Sequence, residues 1–463
     1  MQARSESGWI ADGRGRTWWG RRGRAAAGVP LRAPDAFFVH AAGTGPPPRL
    51  GAILMLAEQA GTVPLAELGE HLAQRISARA PALPMLSRRL ELRSGRWPRW
   101  VHVDDVAGRG RLGVRSVGRG REGTWRSALD EFFDAAPPVD GPPWRMQLLR
   151  DADIGRTAVL VTVHHALGDG VALTDALIRL LTDAAPAPAP RAVRRPAARR
   201  RPAARARLRR VGRAALALRG LVSLASAIRP PPAGLPGAAT PARRYATAAL
   251  PAAKVRAVAR ERGVSSTALL LAVVAGGLHQ YLEGRDGTVP GERLRAMVPR
   301  STRPARSGGD GGNWTAGMSL DLPVGPMPPA RRLAAVAAGL AELAPRGQPA
   351  ATDLVMAAQG LLPARLHARV VRVIAGRRFF NLNVSVMPGS RRPHRVAGLP
   401  VTTVFPVLSL GTVALGIGLI SWADTIGVGV TADAAVIPDA DELADCLALA
   451  LDDLAAAPTD GTG

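Results

Sequence analysis

One stretch of the chain strongly restricts its fold: an apolar run that ends in two histidines and then turns into a helix. Residues 157–184 are TAVLVTVHHALGDGVALTDALIRLLTDA. The run 157–163 is short and rich in valine, which indicates a strand buried on both faces. The apolar residues of 171–184 recur at helical spacing after a Gly-Asp-Gly turn. A strand that delivers a polar loop to a helix start is typical of α/β folds.

Helix and strand patterns alternate along both halves of the chain, which supports the α/β class. Strands are predicted at 50–57, 98–103, 144–149, 157–163, 293–299, 380–387, 412–420 and 425–433. Helices are predicted at 64–79, 125–135, 171–184, 266–282 and 439–457. Glycine-rich runs at 107–123 and 308–312 predict loops.

Composition divides the 463 residues into five parts. Residues 1–29, rich in Arg, Gly and Trp, predict a disordered or mis-started extension, or alternatively an interfacial arm. Residues 30–184 form an N-terminal lobe that contains the histidine pair. Residues 185–241 connect it to a C-terminal lobe at 242–457, and 458–463 form a tail.

The net charge of +25 is concentrated in the connection rather than spread over the chain. Residues 191–229 contain thirteen arginines and no acidic residue. Within this region, 185–205 predicts a Pro/Ala/Arg linker and 207–229 a basic amphipathic helix. That helix either packs with its arginines in solvent or lies on a membrane or lipid droplet. No aromatic residue accompanies the arginines, which argues against nucleic-acid binding.

Several classes of site and location are disfavoured by what the sequence lacks. The single cysteine, Cys446, cannot form an intramolecular disulfide, which favours a reducing compartment. Residues 1–29 have no signal-peptide core, and no apolar stretch reaches the ~18 residues of a membrane span. We therefore expect a cytoplasmic protein, with peripheral attachment to a membrane or lipid droplet as the alternative. No metal-ligand pattern occurs, so no metal is predicted.

The histidine pair has the chemistry of a general base. A neutral imidazole with a pKa near 6.5 can accept a proton at neutral pH when a strand end holds it in a cleft. Either His164 or His165 could instead be a histidine satisfied within the core. Asp169 and Gly170 begin the following helix, where the carboxylate can cap free N–H groups or fix the loop through an ion pair. Both roles for Asp169 are structural.

The spacing His164-His165-x-x-x-Asp169-Gly170 is the HHxxxDG signature of the CoA-dependent acyltransferase superfamily, which includes chloramphenicol acetyltransferase and peptide-synthetase condensation domains. Over residues 31–457 the chain resembles the bacterial wax ester synthase/diacylglycerol acyltransferase family. The segments that carry the resemblance are LRAPDAFFVH, VDGPPWRMQLL, RLRAMVPRSTRP, GGNWTAGMSLDLPVG, FNLNVSVMPGS and SLGTVALGIGLISWADTIGVGVTADAAVIPDADELADCLALALDDL.

The resemblance implies a two-lobed, chloramphenicol acetyltransferase-like α/β fold with a tunnel between the lobes. It makes His165 the general base and His164 a supporting residue, and it pairs Asp169 with a second-lobe arginine, for which Arg303 is the candidate. Acyl-CoA is then a co-substrate and no cofactor is needed. The implied acceptor is diacylglycerol or a long-chain alcohol, giving triacylglycerol or wax ester.

Three segments depart from the family pattern. A family Asn-Asp pair is replaced by Thr267-Ala268, the Leu of Pro-Leu-Trp by Pro143, and Ser-Asn-Val-Pro-Gly-Pro by the segment 385–390, SVMPGS. These departures leave two alternatives open. The same fold could acylate a polyketide, lipid or amine acceptor from a carrier-bound donor, or the chain could be a non-catalytic lipid-surface protein.

Overall fold

The computed structural model describes most of the two predicted lobes. The described residues are 28–42, 48–57, 63–104, 106, 111–118, 124–137, 141–183, 235–238, 240–286, 291–303, 311–343, 348–376 and 379–458. The predicted linker 185–205 and basic helix 207–229 lie outside them, as does nearly all of the extension 1–29.

Helices and strands alternate, as the patterns predict. The strands are β1 Val29–Pro30, β2 Arg49–Leu56, β3 Arg88–Glu91, β4 Arg99–His102, β5 Leu112–Val117, β6 Trp144–Asp151, β7 Arg156–His164, β8 Arg243–Pro251, β9 Arg293–Ser301, β10 Thr315–Pro323, β11 Leu382–Met387, β12 Arg395–Val396, β13 Leu399–Val407, β14 Leu415–Trp422 and β15 Thr425–Asp433. The helices are α1 Ala33–His40, α2 Leu65–Arg79, α3 Trp125–Asp134, α4 Gly170–Leu181, α5 Ala252–Glu261, α6 Ser266–Asp286, α7 Pro329–Leu343, α8 Gln348–Gln359, α9 Ala364–Ala375 and α10 Ala440–Ala456.

Two six-stranded sheets form the centres of two lobes, which confirms the two-lobed α/β fold. The first lobe has the strand order β12-β13-β2-β7-β6-β5, and the second has β10-β9-β11-β14-β15-β8. A small sheet of β1, β4 and β3 lies beside them. The loop predicted over 107–123 is wrong for Leu112–Val117, because this segment pairs in parallel with β6 at the edge of the first sheet.

The chain returns to the first sheet late in its course. The sequence assigns 242–457 to the second lobe, yet β13 pairs antiparallel with β2. Val401 and Val404 of β13 are buried in the first core, which explains this placement. The strand also passes close over β15, where a side chain at Gly427 or Gly429 would collide with the β13 backbone. The alternating glycines of β15, in TIGVGVTAD, therefore allow β13 of the first sheet to lie directly against the second sheet.

Strand β7 delivers the histidines from the middle of the first sheet. Val159, Val161 and Val163 pack into one core cluster, and Ala158 and Leu160 into another on the opposite face. Burial on both faces accounts for the uninterrupted apolar run in the sequence. Within the described residues, no single helix is long and apolar enough to cross a membrane.

Candidate active site

The histidine pair lies where β7 ends and a short 3-10 turn begins. His164 is the last strand residue, and a 3-10 turn covers His165–Leu167. The His164 N–H donates to the Pro143 carbonyl at 2.9 Å, and the His165 N–H donates to the Pro48 carbonyl at 2.9 Å. The backbone on both sides of the loop therefore fixes the direction in which the two rings leave the strand.

His165 is the member of the pair that faces a cavity. Its ring lines a cavity of about 810 Å³. Phe38 of α1 stacks on the imidazole, with ring centroids 3.7 Å apart and an interplanar angle of 7°. The Nδ1 atom is buried and has no hydrogen-bond partner among the described residues. The ring nitrogen that a molecule in the cavity can reach is therefore Nε2.

Burial lowers the pKa of the His165 imidazole to about 4, because water is excluded from the charged form. The ring is neutral at pH 7 and has a lone pair available. Its own backbone, Asp169 and Asn313 act in the opposite direction and favour the protonated ring. A proton accepted during a reaction would thus be stabilised by groups already in place.

His164 has a different environment. It does not belong to the lining of the large cavity, and its Nδ1 accepts a hydrogen bond from the Ala166 N–H at 3.1 Å. Burial lowers its pKa to about 4, with further contributions from His165 and Arg49. The side chain caps the 3-10 turn, which is a structural contact next to the catalytic candidate.

Asp169 joins the histidine loop to the second lobe. Its buried carboxylate accepts hydrogen bonds from the Ala172 N–H at 2.9 Å and from the Trp314 N–H at 2.9 Å. Arg303, the arginine implied by the resemblance, forms an ion pair with it at 2.9 Å. The Arg303 guanidinium also donates to the Gly312 carbonyl at 2.9 Å. One carboxylate thus caps α4 and holds the segment after β9.

A second buried carboxylate, which the sequence reasoning missed, acts on the same segment. Asp35 of α1 accepts from the Asn313 backbone N–H at 2.7 Å and from its Nδ2 at 3.0 Å. Asn313 Nδ2 also donates to the His165 carbonyl at 2.9 Å. Burial raises the pKa of Asp35, partly opposed by these bonds. An aspartate inside the apolar segment PDAFFV was the available signal, since buried carboxylates need partners.

Gly170 lies close to the second lobe at the start of α4. A Cβ on this residue would collide with the Met387 side chain of β11. Met387 itself lines the cavity, as does Gly170. The last position of the HHxxxDG pattern is therefore a contact between the two lobes, made where the cavity passes the histidine loop.

The cavity is mostly apolar and draws its walls from both lobes. Its apolar residues include Phe37, Leu173, Leu343, Val404 and Trp422. Its polar residues include Ser265, Thr267, Thr315, Asn383, Ser385 and Ser409. Within the described part of the chain, no group of three or more His, Cys, Asp or Glu side chains could hold a metal ion. The arrangement suits base chemistry on a largely apolar molecule.

Family models match both lobes. The model of the wax ester synthase/diacylglycerol acyltransferase catalytic domain matches residues 31–229, and that of the WS/DGAT C-terminal domain matches 311–455. The chain belongs to the wax ester synthase/diacylglycerol acyltransferase family. Membership makes it an O-acyltransferase.

Named relatives and solved structures agree with this family. A Mycobacterium tuberculosis protein named as a diacylglycerol O-acyltransferase is 30% identical over 345 residues, which is 68% of this chain and 74% of that protein. A similarly named Mycobacterium bovis protein is 28% identical over 378 residues, covering 75% of this chain and 79% of the relative.

Among solved structures, the wax ester synthase/diacylglycerol acyltransferase from Marinobacter aquaeolei VT8 superposes with a TM-score of 0.66 at 20% identity, covering 92% of this chain and 98% of that one. The first condensation domain of the CDA synthetase gives 0.59 at 18% identity, covering 93% and 98%. These two likenesses show the fold.

The structure places the residues that depart from the wax ester synthase/diacylglycerol acyltransferase pattern. Thr267, in place of the family Asn, lines the cavity, whereas Ala268, the next residue of α6, is buried. Pro143 supplies the carbonyl that receives the His164 N–H. Val386 and Met387, in place of the family Asn and Val, line the cavity on β11. The substitutions at positions 267, 386 and 387 therefore lie on the surface that a substrate would touch, while Pro143 bonds through its backbone to the loop that carries His165.

Proposed function

We propose that this acyltransferase moves a long-chain acyl group from acyl-CoA to the hydroxyl of diacylglycerol or a long-chain alcohol, with His165 as the general base. The observation that supports the assignment of the base is the neutral His165 ring in the wall of a largely apolar cavity. Only a ring that is both deprotonated and accessible can take a proton from a bound hydroxyl.

The reaction balances without an additional reactant. The acceptor oxygen attacks the thioester carbonyl carbon while Nε2 of His165 takes the hydroxyl proton. The carbon–sulfur bond then breaks, and the protonated imidazole gives that proton to the departing CoA thiolate. Asp169 lowers the cost of the charged ring between these two steps. The thioester is already activated, so no covalent acyl-enzyme is required.

The other loop residues act on the position of His165. His164 supports the turn through its bond with the Ala166 N–H. Asp169 holds the start of α4 against the second lobe, and Gly170 leaves room there for the Met387 side chain. Such fixed geometry matters because catalysis depends on placing the base within hydrogen-bond reach of the hydroxyl.

The lipid nature of the acceptor suggests work at a lipid surface. Moving a water-insoluble alcohol from a membrane or lipid droplet into water costs free energy. An enzyme bound to that surface can take up the alcohol without this step. The basic segment 207–229, with its arginines followed by Leu, Val and Ile, has the composition of an interfacial helix. We assign peripheral attachment to this segment as part of the proposed function.

The deciding experiment follows thiol release from palmitoyl-CoA by the purified full-length protein. Diacylglycerol, hexadecanol and hexadecylamine are supplied separately, and a reaction without acceptor measures hydrolysis. We expect turnover with the two alcohols, and a loss of about 10²–10⁴-fold in His165→Gln, the range typical of general-base assistance. His71→Gln, an exposed histidine on α2, is the matched control. Full activity in His165→Gln, or turnover with the amine alone, contradicts the proposal.

A further inference from the structure

Helix α9 presents apolar and basic side chains together on its outer face. Leu366 and Val373 are 46% and 55% exposed and stand seven residues apart, on one side of the helix. Arg365, Arg369 and Arg372 are also exposed. At ~100° per residue, the three arginines fall along one flank of the Leu366–Val373 stripe. Such an arrangement is typical of helices that lie in a membrane interface.

The connection before this helix extends the apolar part of the face. Leu361 is 86% exposed, in the turn between α8 and α9. We call Leu361, Leu366 and Val373, with the three arginines, the outer face of α9. The described residues include eight large apolar side chains with high exposure. Three of the eight are Leu361, Leu366 and Val373, which fall within thirteen positions of the sequence. Scattered exposed leucines need no explanation, but a cluster beside cations does.

The inner side of the same helix reaches the active-site cavity. Ile374 and Ala375, at its end, line the cavity. His367 is fully buried, and its Nδ1 is 2.7 Å from Nδ1 of His40 on α1, the helix that carries Phe38. Helix α9 is therefore a wall with the substrate cavity on one side and the outer face on the other.

The stretch of sequence that contains α9 carries charge of one sign. Between Asp353 and Asp424 the sequence contains eight arginines and no acidic residue. Within the described residues, no ion pair engages Arg365, Arg369 or Arg372. Guanidinium groups bind lipid phosphates, and exposed apolar side chains beside them can insert among the acyl chains below. The outer face of α9 therefore has a partner in each layer of a phospholipid surface.

We propose that the outer face of α9 docks on an anionic phospholipid bilayer and brings the cavity to the membrane from which the acceptor is drawn. The proposal rests on the proposed function in that it presumes a lipid acceptor. It adds a docking surface in the described second lobe to the attachment assigned to residues 207–229. Leu366 and Val373 enter the acyl region, and the three arginines contact lipid phosphates.

The test measures co-sedimentation of the full-length protein with vesicles of phosphatidylcholine alone and of phosphatidylcholine mixed with phosphatidylglycerol. We expect the triple variant Arg365→Gln/Arg369→Gln/Arg372→Gln to lower the partition coefficient on the anionic vesicles by about 100-fold, from ~1 kcal/mol per arginine. Leu366→Glu/Val373→Glu should lower it on both vesicle types. Leu449→Glu, on α10 and 56% exposed, is the matched control and should bind as the parent does.

A short soluble alcohol, hexanol, separates docking from catalysis. The docking variants should transfer acyl groups to hexanol at the parent rate, which also shows that they fold. Unchanged vesicle binding in both variants overturns the proposal and leaves residues 207–229 as the attachment. If the parent protein acylates none of the three alcohols, hexanol, hexadecanol and diacylglycerol, the result contradicts the proposed function instead, whatever the vesicle result.

Discussion

The histidine loop and the rest of the cavity wall are held in place by different forces. The loop at 164–170 is tied to the second lobe by polar bonds: Arg303 donates to the Asp169 carboxylate, and Asn313 donates to the His165 carbonyl. Much of the wall consists of side chains such as Leu173 and Leu343, which pack without directional bonds. Directional bonds fix the His165 ring at one position, whereas apolar packing tolerates changes of shape. Loop variants should therefore reduce turnover of every substrate, and wall variants should change the choice among substrates.

The largest effect after loss of His165 is expected from breaking the ion pair. Arg303→Met leaves the Asp169 carboxylate buried without its cation, and such losses cost about 3–5 kcal/mol of the free energy of unfolding. Chemical denaturation measures this change. Activity should fall with diacylglycerol and with hexadecanol by the same factor, because the loop serves both.

The double variant Asp169→Asn/Arg303→Met tests whether the loss of stability comes from the unpaired charge of Asp169. It removes both charges while the Asn side chain can still cap α4, so it should recover part of the stability lost in Arg303→Met. Equal stability of Arg303→Met and the parent would show that the bond between the lobes contributes nothing.

Asn313 should be the next most sensitive residue. Asn313→Ala removes the donor to the His165 carbonyl and leaves the Asp35 carboxylate with one fewer bond. The loss of buried hydrogen bonds costs about 1–3 kcal/mol. We expect a lower kcat with little change in KM for either substrate, measured by initial rates at several concentrations. A change confined to KM would place Asn313 in substrate binding rather than in holding the loop.

The pH dependence distinguishes the buried imidazole from an ordinary one. With the pKa of His165 lowered to about 4, the imidazole is deprotonated throughout the neutral range, as the proposed role of general base requires. The value of kcat/KM should stay level from about pH 8 to about pH 5.5, where an ordinary histidine would already be about tenfold less active. Thiol release can be followed with dithiodipyridine, and circular dichroism at each pH checks folding. An inflection near the ordinary value would show that the loop is open to water.

The sequence and the structure agree best where the pattern is local. The strand 157–163, the turn and the helix 171–184 are found as β7, the 3-10 turn and α4 within a few residues. Periodicity and capping are set by near neighbours, so they can be predicted from the sequence. Asp35 and Asn313 could not be joined in this way, because 278 residues separate them and only the packed lobes bring them together. The crossing of β13 into the first sheet was missed for the same reason.

The cavity wall should show smaller and more selective effects. Leu340 of α7 lines the cavity and is only partly buried, so Leu340→Ala enlarges the cavity with limited damage to the core. The ratio of kcat/KM values between two acyl-CoA or two alcohol lengths should change by about fourfold for each methylene that gains or loses contact. Leu449→Ala, exposed on α10, is the control. A uniform loss across all chain lengths would mean that this wall also positions the base.

His164 gives the smallest expected effect and the most direct test of the contrast between the two histidines. His164→Asn keeps an acceptor near the Ala166 N–H while removing the ring, and His164 does not belong to the cavity lining. Loss of one partly replaced hydrogen bond is worth about 0.5–1.5 kcal/mol, so kcat should fall by about tenfold at most. Initial rates beside His165→Gln measure the difference. Equal losses in the two variants would mean that both rings take part in moving the proton, and that neither acts only through the shape of the loop.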